Sequence, residues 1–538
     1  MKCNSFKILI SLCTIALLSG CNPDLKKSVK DTDKAVYDII DKSWQANQSD
    51  SSADYNLSNK SDIPAIFDAE ILPLNTAVAL ATTNNREYQT IKENIYLTAL
   101  DQVEIEHIYD GTWFVGAKSG IEKNEDGKGN GTAGSIGIEK LLATGAKISS
   151  NISLGCMDIL SGDLKSGMST VISTMISQPL LRGAGRKIAL ENLTQAERNT
   201  LYEIRNFNHY RKDFVTNIII DYYNLLLLNN LQINASEYCN KMEQIYKNLQ
   251  VRARIGRVAS FEMEQANQDK IQAISEYMTA KRLYEDELDE FKKKLYIPLN
   301  QEFTPDTAEL DILTSSISAP LQLGEDKSIE LAILQRLDLM NAADQSDDAE
   351  RKVEVASDSI RAELNLVGYA SSETPNRSVF GASPAQLRAS QEQYSLALEL
   401  DLPFDRVAEK SNYRRALIDV IRTQRQQQEI TETIILEVRK DFRKLQESSQ
   451  KYNNENSALT LAQKRSDNTI SLLGYGRAKT RDVLDAQKDL YRAKNSSTTA
   501  MVEYAIANLQ LMKDTGIIKI KEDGQWENSL NMVLSETN

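Results

Sequence analysis

The chain has 538 residues, 41% of them apolar and 26% charged, and its formal net charge is −13. The acidic balance argues against nucleic acid as a partner. Two histidines and five cysteines argue against a His-rich metal site and against a disulfide framework. We also find no P-loop, dinucleotide fingerprint or Ser-His-Asp signature, so neither an enzyme nor a bound cofactor is expected.

The first 20 residues resemble a bacterial lipoprotein signal. Two lysines precede a mostly apolar run at 8–18, and Ser19-Gly20-Cys21 follows. This junction predicts that residues 1–20 are removed and that Cys21 becomes the lipidated first residue. An ordinary secretory signal with an incidental cysteine is the alternative. In both cases the mature chain leaves the cytoplasm, beginning with a polar tail to residue 71 that is predicted to be partly ordered.

Helices and strands alternate along the rest of the chain. Helices are predicted at 75–106 and, by a weaker internal similarity, from residue 331 onward in the second half. In that half, 394–402 alternates leucines with other residues, which is typical of a strand with one apolar and one polar face. Segment 364–370 is its predicted neighbour, with an exposed loop at 371–391.

The first half carries weaker strand signals. Segments 112–117 and 169–178 are predicted to form the strand pair. Several glycines and charges at 120–134 predict a loop. Segment 147–154 fits either an extra strand or part of a surface loop.

Two very long helices follow the strand pairs. Residues 186–254 contain no proline, and 408–473 form a stretch of similar length. At 1.5 Å per residue each helix would extend about 100 Å. Such a helix is stable only when it is packed along its length, so it needs partner helices. After the N-terminal signal no segment offers the 18 consecutive apolar residues of a membrane helix, so a membrane crossing would require strands closed into a barrel.

An internal repeat marks where each long helix turns back. At one fixed offset a Gly-Arg pair, three alanines and a tyrosine recur: Gly256-Arg257, Ala266, Ala273, Ala280 and Tyr284, then Gly476-Arg477, Ala486, Ala493, Ala500 and Tyr504. The alanines lie seven apart, which predicts helices with a small-residue seam that another helix can approach closely. Two such halves are more typical of an architectural protein than of a catalyst.

Several short motifs together resemble the TolC family of outer-membrane efflux proteins. They are Gln178-Pro179-Leu180-Leu181-Arg182-Gly183, Gly476-Arg477 and Asp482-Val483-Leu484-Asp485-Ala486-Gln487. The likeness covers nearly everything from 72 to 516 and includes the internal repeat. The lipoprotein start is similar to the lipid-anchored branch of that family.

The resemblance implies a fold class and a role. The chain would be mainly α with a transmembrane β part, a two-repeat protomer of a homotrimer. Each protomer would give four strands to a shared 12-stranded β-barrel, which a long periplasmic α-helical barrel continues. The trimer would be the outer-membrane exit duct of a tripartite efflux or type I secretion system. Its partners would be outer-membrane lipid, a periplasmic adaptor protein and an inner-membrane transporter of the RND, ABC or MFS type.

The resemblance also implies a domain plan. Residues 72–300 form the first repeat, with a strand pair within 112–178 and a tip near 256. A linker at 301–325 leads to the second repeat at 326–516, with a strand pair within 364–402 and a tip near 476. Residues 517–538 form a C-terminal tail.

Two groups of residues are functional candidates under this resemblance. Gly256, Arg257, Gly476 and Arg477 would lie at the periplasmic tips that meet the adaptor, although the glycines also serve simply to end helices. Asp482 and Asp485 match the paired aspartates that narrow the periplasmic aperture, and Glu262 takes the place of Asp482 in the first copy. The alternative is that both aspartates only favour the start of a helix capped by Thr480.

A different class of protein remains an alternative. An envelope lipoprotein that acts as a coiled-coil scaffold or tether, without a pore, would also need long helices. The alternation of leucines at 394–402 distinguishes the two, because a simple coiled coil has no use for an amphipathic strand.

Overall fold

A computed structural model of the chain describes residues 25–46, 70–124, 127–162, 167–256, 258–316, 324–377, 391–402, 404–520 and 526–528. The predicted signal at 1–20, the predicted lipidation site Cys21 and the predicted tip residue Arg257 lie outside the described residues. The helices are α1 Leu25–Ala46, α2 Leu74–Asn84, α3 Arg86–Asp110, α4 Arg186–Ala189, α5 Glu191–Arg254, α6 Ser260–Leu295, α7 Ala308–Ser316, α8 Glu325–Gln335, α9 Leu337–Ser359, α10 Val407–Gly474 and α11 Thr480–Asp514.

The strands are short except in one sheet. They are β1 Ile71–Leu72, β2 Thr112–Asn124, β3 Gly127–Leu141, β4 Lys147–Gly162, β5 Gly167–Pro179, β6 Thr304–Pro305, β7 Glu363–Arg377, β8 Gln391–Asp401, β9 Ile518–Ile520 and β10 Trp526–Asn528. The chain divides into two compact units. The first holds Met1–Gln48, Asn94–Ile204 and Asn341–Gln427; the second holds Ser49–Glu93, Arg205–Met340 and Gln428–Asn538. Among the described residues, no helix is both long enough and apolar enough to cross a membrane.

The first unit is built around a six-stranded antiparallel sheet in the order β2-β3-β4-β5-β7-β8. The predicted strands at 112–117, 169–178, 364–370 and 394–402 are all present within longer strands. Segment 147–154 belongs to β4, so the alternative of a surface loop is wrong. The strand β7 also continues to Arg377, into the region predicted as a loop.

The prediction of a loop at 120–134 is wrong. These residues form the distal parts of β2 and β3, paired from Thr112↔Glu139 to Asn124↔Gly127. Glycine lowers strand propensity, which is why the stretch looked like a loop. Here β3 is hydrogen-bonded on both sides, to β2 and to β4, and these ladders outweigh the local preference. The chain therefore contributes six strands to one sheet, rather than the four strands expected of each protomer.

A polar network joins the helices of the first unit. The Arg351 guanidinium donates to Glu191 and Asp348, each at 2.7 Å. Asp348 also accepts a 2.6 Å hydrogen bond from the Tyr202 hydroxyl. The predicted polar tail contains α1, whose Val36 and Ile40 are buried and whose Asp33 accepts a 2.6 Å hydrogen bond from Tyr96 on α3. Directional, charge-assisted bonds of this kind fix how the helices meet.

The second unit contains most of the buried apolar side chains. Its largest cluster is centred on α5, where Tyr222, Leu225 and Leu226 are fully buried. The Tyr222 hydroxyl donates to the Leu72 carbonyl oxygen at 2.8 Å and accepts from the Asp306 N–H at 3.0 Å. These two bonds hold the parallel pair β1–β6 against the helix. The dense apolar segment of α5 is therefore helix core.

The same break recurs in the helices that begin the two repeats. The α2 helix ends at Asn85, whose backbone N–H donates to Ala81, and α3 starts directly afterwards. In the second copy α8 ends at Arg336, whose N–H donates to Ala332, and α9 follows. Asn85 and Arg336, the residues at the two breaks, both have extended backbone conformations. The single long helix predicted at 75–106 is thus two helices, and the two breaks lie at corresponding positions of the predicted repeat.

Candidate functional site

The sheet of the first unit has one apolar and one polar face. Alternate side chains lie on opposite faces of a strand, so the pairing register assigns every residue to a face. Val115, Ile136, Ile152 and Ile172 lie in one cross-strand row, on the same face as the leucines of β8. The other face carries mostly small or polar residues, with Phe114, Met175 and Tyr369 as its exposed large exceptions. Its small and polar members include Gly116, Lys118, Ser135, Ser149, Asn151, Ser153, Ser173, Ser177, Asn365, Ser395 and Glu399.

The apolar face is exposed. Leu396 has 76% of its surface exposed, and the leucines beside it on β8 are exposed as well. A row of exposed leucines on one face of a strand is not typical of a protein that meets only water. A sheet with apolar residues on one side and polar residues on the other fits a boundary between lipid and an aqueous space.

In the second unit both long helices end at a glycine with a left-handed backbone. Gly256 has φ of +72° and Gly476 has φ of +69°, as the repeat predicts. At the second tip, the Gly476 N–H donates to the Leu473 carbonyl oxygen and the Arg477 N–H donates to the Leu472 carbonyl oxygen. These two hydrogen bonds form a Schellman cap. The glycines therefore do end the helices.

The tips also expose side chains for contact. Tyr475 is 82% exposed and Arg477 is exposed beside it, while Ile255 is exposed at the first tip. The helices that return from the tips pack through the predicted small-residue seam, because Ala266, Ala273, Ala486 and Ala500 are buried.

The predicted aperture residues lie at the start of α11. Asp482 and Asp485 are exposed, whereas Val483, Leu484 and Ala486 on the other side of the helix are buried. The Asp482 carboxylate accepts from the Lys479 backbone N–H at 3.0 Å, so it stabilises the helix start. Asp485 forms an exposed 3.6 Å ion pair with Arg481.

The structure changes two details of this region. The residue that precedes the helix is Lys479, so the prediction that Thr480 caps α11 is wrong. The Thr480 hydroxyl instead donates to the Glu262 carboxylate near the start of α6. Glu262, the first-repeat counterpart of Asp482, is thereby held against the helix that carries the two aspartates.

No protein-family model and no curated protein matches this sequence. Solved structures do match. The Campylobacter jejuni CmeC outer membrane channel aligns with a TM-score of 0.58 and 15% identity, over 91% of this chain and 96% of that chain. The open state of the Neisseria gonorrhoeae MtrE outer membrane channel aligns with a TM-score of 0.58 and 13% identity, over 87% and 96% of the two chains. The Vibrio cholerae outer membrane protein VceC aligns with a TM-score of 0.55 and 11% identity, over 82% of this chain and 96% of that chain.

The chain has the TolC-type outer-membrane channel fold. The resemblance seen in the short motifs is thus confirmed for the fold.

Within this TolC-type fold, the second unit contains a charged cleft of about 250 Å³. It is lined by His209, Asp213, Arg336, Glu437, Lys440, Asp441, Lys513 and Asp514. Lys513 forms ion pairs with Asp213 at 3.2 Å and Asp514 at 3.1 Å, and Arg336 with Glu437 at 2.6 Å. Asp441 has a buried carboxylate oxygen that meets no donor.

Protonation of Asp441 removes the need for a donor to this buried oxygen. Burial, together with the hydrogen bond that a protonated Asp441 makes to Asp514, raises the pKa of Asp441 to about 7. The predicted turn at Gly476 implies that α10 and α11 lie side by side. This pair was missed because the sequence does not show which residues of the two helices face each other.

The pair predicts a pH-dependent stability. Asp441 keeps its proton in the folded chain between about pH 4 and pH 7, whereas in the unfolded chain it is ionised there. The free energy of unfolding therefore decreases as pH rises through this window. Asp441→Asn supplies a permanent donor to Asp514, so we expect it to remove about 1–2 kcal/mol of this decrease, allowing for partial solvent access.

Thermal unfolding followed by circular dichroism at pH 5.5 and pH 8.5 measures this effect. Asp467→Asn, an exposed substitution on the same helix, is the control and should follow the wild type at both values. If the stability difference between wild type and Asp441→Asn were the same at both pH values, a protonated Asp441 that donates to Asp514 would be contradicted.

Proposed function

We propose that the chain is the outer-membrane exit duct of a tripartite efflux or type I secretion system. The proposal rests on a sheet with one largely apolar face and, in the same chain, two long helical hairpins, in the fold of known outer-membrane channels. Three copies close their sheets into one wall, with the apolar face toward lipid and the polar face toward a water-filled pore. Acylated Cys21 anchors each copy to the membrane.

The long helices extend this pore through the periplasm. The α5 helix has 64 residues and α10 has 68, so each is about 100 Å long. Conduction through such a duct is passive, and an inner-membrane transporter supplies the energy. The exposed tip residues Ile255, Tyr475 and Arg477 dock a periplasmic adaptor protein. A pore-less scaffold would need the helices but has no use for the two-faced sheet.

Reconstitution tests this function directly. The mature protein in planar bilayers is expected to give discrete single-channel currents, and it should migrate as a trimer in detergent until it is heated. A protein that is monomeric in detergent and passes no current in planar bilayers would exclude the exit duct and favour the scaffold.

In this proposal Asp482 and Asp485 restrict the pore. Three copies of the pair place six carboxylates around one axis, which favours cations and impedes anions. We expect the double substitution Asp482→Ala with Asp485→Ala to raise single-channel conductance and to lower cation preference.

The control variants separate charge from helix capping. Asp482→Asn with Asp485→Asn removes both charges but keeps a side-chain acceptor for the Lys479 N–H, so it should lower cation preference as strongly as the alanine pair. Asp489→Ala removes one charge from the same helix, at a residue bound to Arg465 at 2.6 Å, and should change little. Unchanged conductance in both double variants would leave the aspartates with a capping role only.

A further inference from the structure

The hairpin formed by β2 and β3 is built into the sheet of the first unit. Its apolar face continues that of the other strands, since Val115 and Ile136 lie in register with Ile152 of β4. Trp113 occupies the same face and is 73% exposed. A hairpin lying outside the membrane would have no reason to repeat the apolar face of its neighbours in register.

Packing on the opposite face fixes the position of this hairpin. The Phe114 ring lies over Gly137, its partner in the register. A Cβ atom at Gly137 would overlap the ring and would lie 2.8 Å from the Ser150 carbonyl oxygen of β4. An aromatic side chain covering a cross-strand glycine stabilises one register. The close contact with β4 shows that the hairpin is packed against the sheet.

The hairpin is long enough to span the apolar part of a bilayer. β2 has 13 residues and β3 has 15, whereas about 9–11 residues suffice for a tilted membrane strand. Its outer strand β2 is one edge of the sheet and β8 is the other; among the described residues neither edge is paired further. Because the sheet has an even number of antiparallel strands, β2 of one copy can continue the alternation beside β8 of the next.

We propose that the β2–β3 hairpin spans the membrane as part of the channel wall, and that β2 pairs antiparallel with β8 of a second copy of the chain. This inference rests on the proposed function. Six strands from each of three copies give a wall of eighteen. Barrel diameter grows roughly linearly with strand number, so the pore in the membrane is about 1.5 times as wide as one of twelve strands.

Thiol labelling in lipid vesicles tests the hairpin against an undisputed strand. In a background with Cys156→Ser and Cys239→Ser, single cysteines are placed at Val115 and Lys118 on opposite faces of β2, and at Leu396 and Ser395 on β8. A membrane-impermeant charged thiol reagent is expected to modify Lys118→Cys and Ser395→Cys at least ten times faster than Val115→Cys and Leu396→Cys.

The outcomes separate this inference from the proposed function. If the β8 pair shows the contrast and the β2 pair reacts uniformly fast, the hairpin lies outside the membrane and the inference is overturned. If neither pair shows a difference in labelling rate between its two faces, both the inference and the proposed function are overturned. A photo-reactive benzoylphenylalanine at Lys118 is a second measurement of the edge pairing. It should yield cross-linked copies whose joined peptide comes from β8. The same probe at Ser149 on β4 is the control and should not reach β8, whereas a β8 peptide joined to Ser149 and none joined to Lys118 would indicate a four-strand wall.

Discussion

Under the proposed function, Leu396→Arg is expected to prevent assembly of the trimer in the outer membrane, whereas Ser395→Arg permits it. The two residues are neighbours on β8, but Leu396 belongs to the exposed apolar face and Ser395 to the polar face. An arginine facing lipid near the bilayer midplane costs about 2–4 kcal/mol in a barrel, and a trimer carries it three times. The heat-sensitive trimer band in the outer-membrane fraction should be lost for Leu396→Arg only.

Two further variants complete this test. Leu396→Phe keeps an apolar side chain toward lipid and should assemble normally. Ser395→Arg places a cation on the pore side, so it should shift ion preference toward anions while leaving the trimer intact. Equal assembly of the two arginine variants would mean that the sheet does not separate lipid from water.

Tyr222→Ala is expected to cause the largest loss of stability in the second unit. The side chain is fully buried, packs edge-on against Phe291 and makes two hydrogen bonds through its hydroxyl. Truncating a buried aromatic residue costs about 3–5 kcal/mol, and the unpaired Leu72 carbonyl and Asp306 N–H add to this. Thermal unfolding should show the loss, and limited proteolysis should show faster cleavage near residue 306.

Two controls distinguish burial from hydrogen bonding. Tyr222→Phe keeps the ring and removes only the hydroxyl, so a loss of about 1–3 kcal/mol is expected. Tyr475→Ala makes the same truncation at an exposed tip and should change stability by less than about 0.5 kcal/mol. A Tyr222→Ala variant as stable as Tyr475→Ala would contradict the role of this cluster in the core.

The long helices and their turns were predictable from the sequence. Periodic apolar residues and the absence of proline predicted helices at 186–254 and 408–473, close to α5 and α10, and the repeated glycines marked both turns. These signals are local, because a helix makes its hydrogen bonds within one segment. The break at Arg336 was not predicted, because neither proline nor glycine marks it; at this position the Arg336 guanidinium donates to Glu437 and Asp338.

Strand number was the main failure, and its cause is non-local. β3 contains glycines at alternate positions such as Gly129 and Gly131, which weaken the sequence signal for a strand. Its stability comes from partners on both sides, one of which lies in β4. The aspartate pair in the cleft was missed because the predicted turn does not fix which residues of α10 and α11 face each other. The roles proposed for Asp482, Asp485 and the tips remain predictions.

The row of leucines on β8 has a consequence for how cells make this protein. If the chain is the proposed exit duct, a freshly exported copy carries Leu396, Leu398 and Leu400 through an aqueous compartment, together with an open strand edge, before it is inserted. Both features promote aggregation. Newly made copies should therefore depend on a periplasmic chaperone during transit, and overproduction beyond the capacity of that chaperone should yield insoluble material.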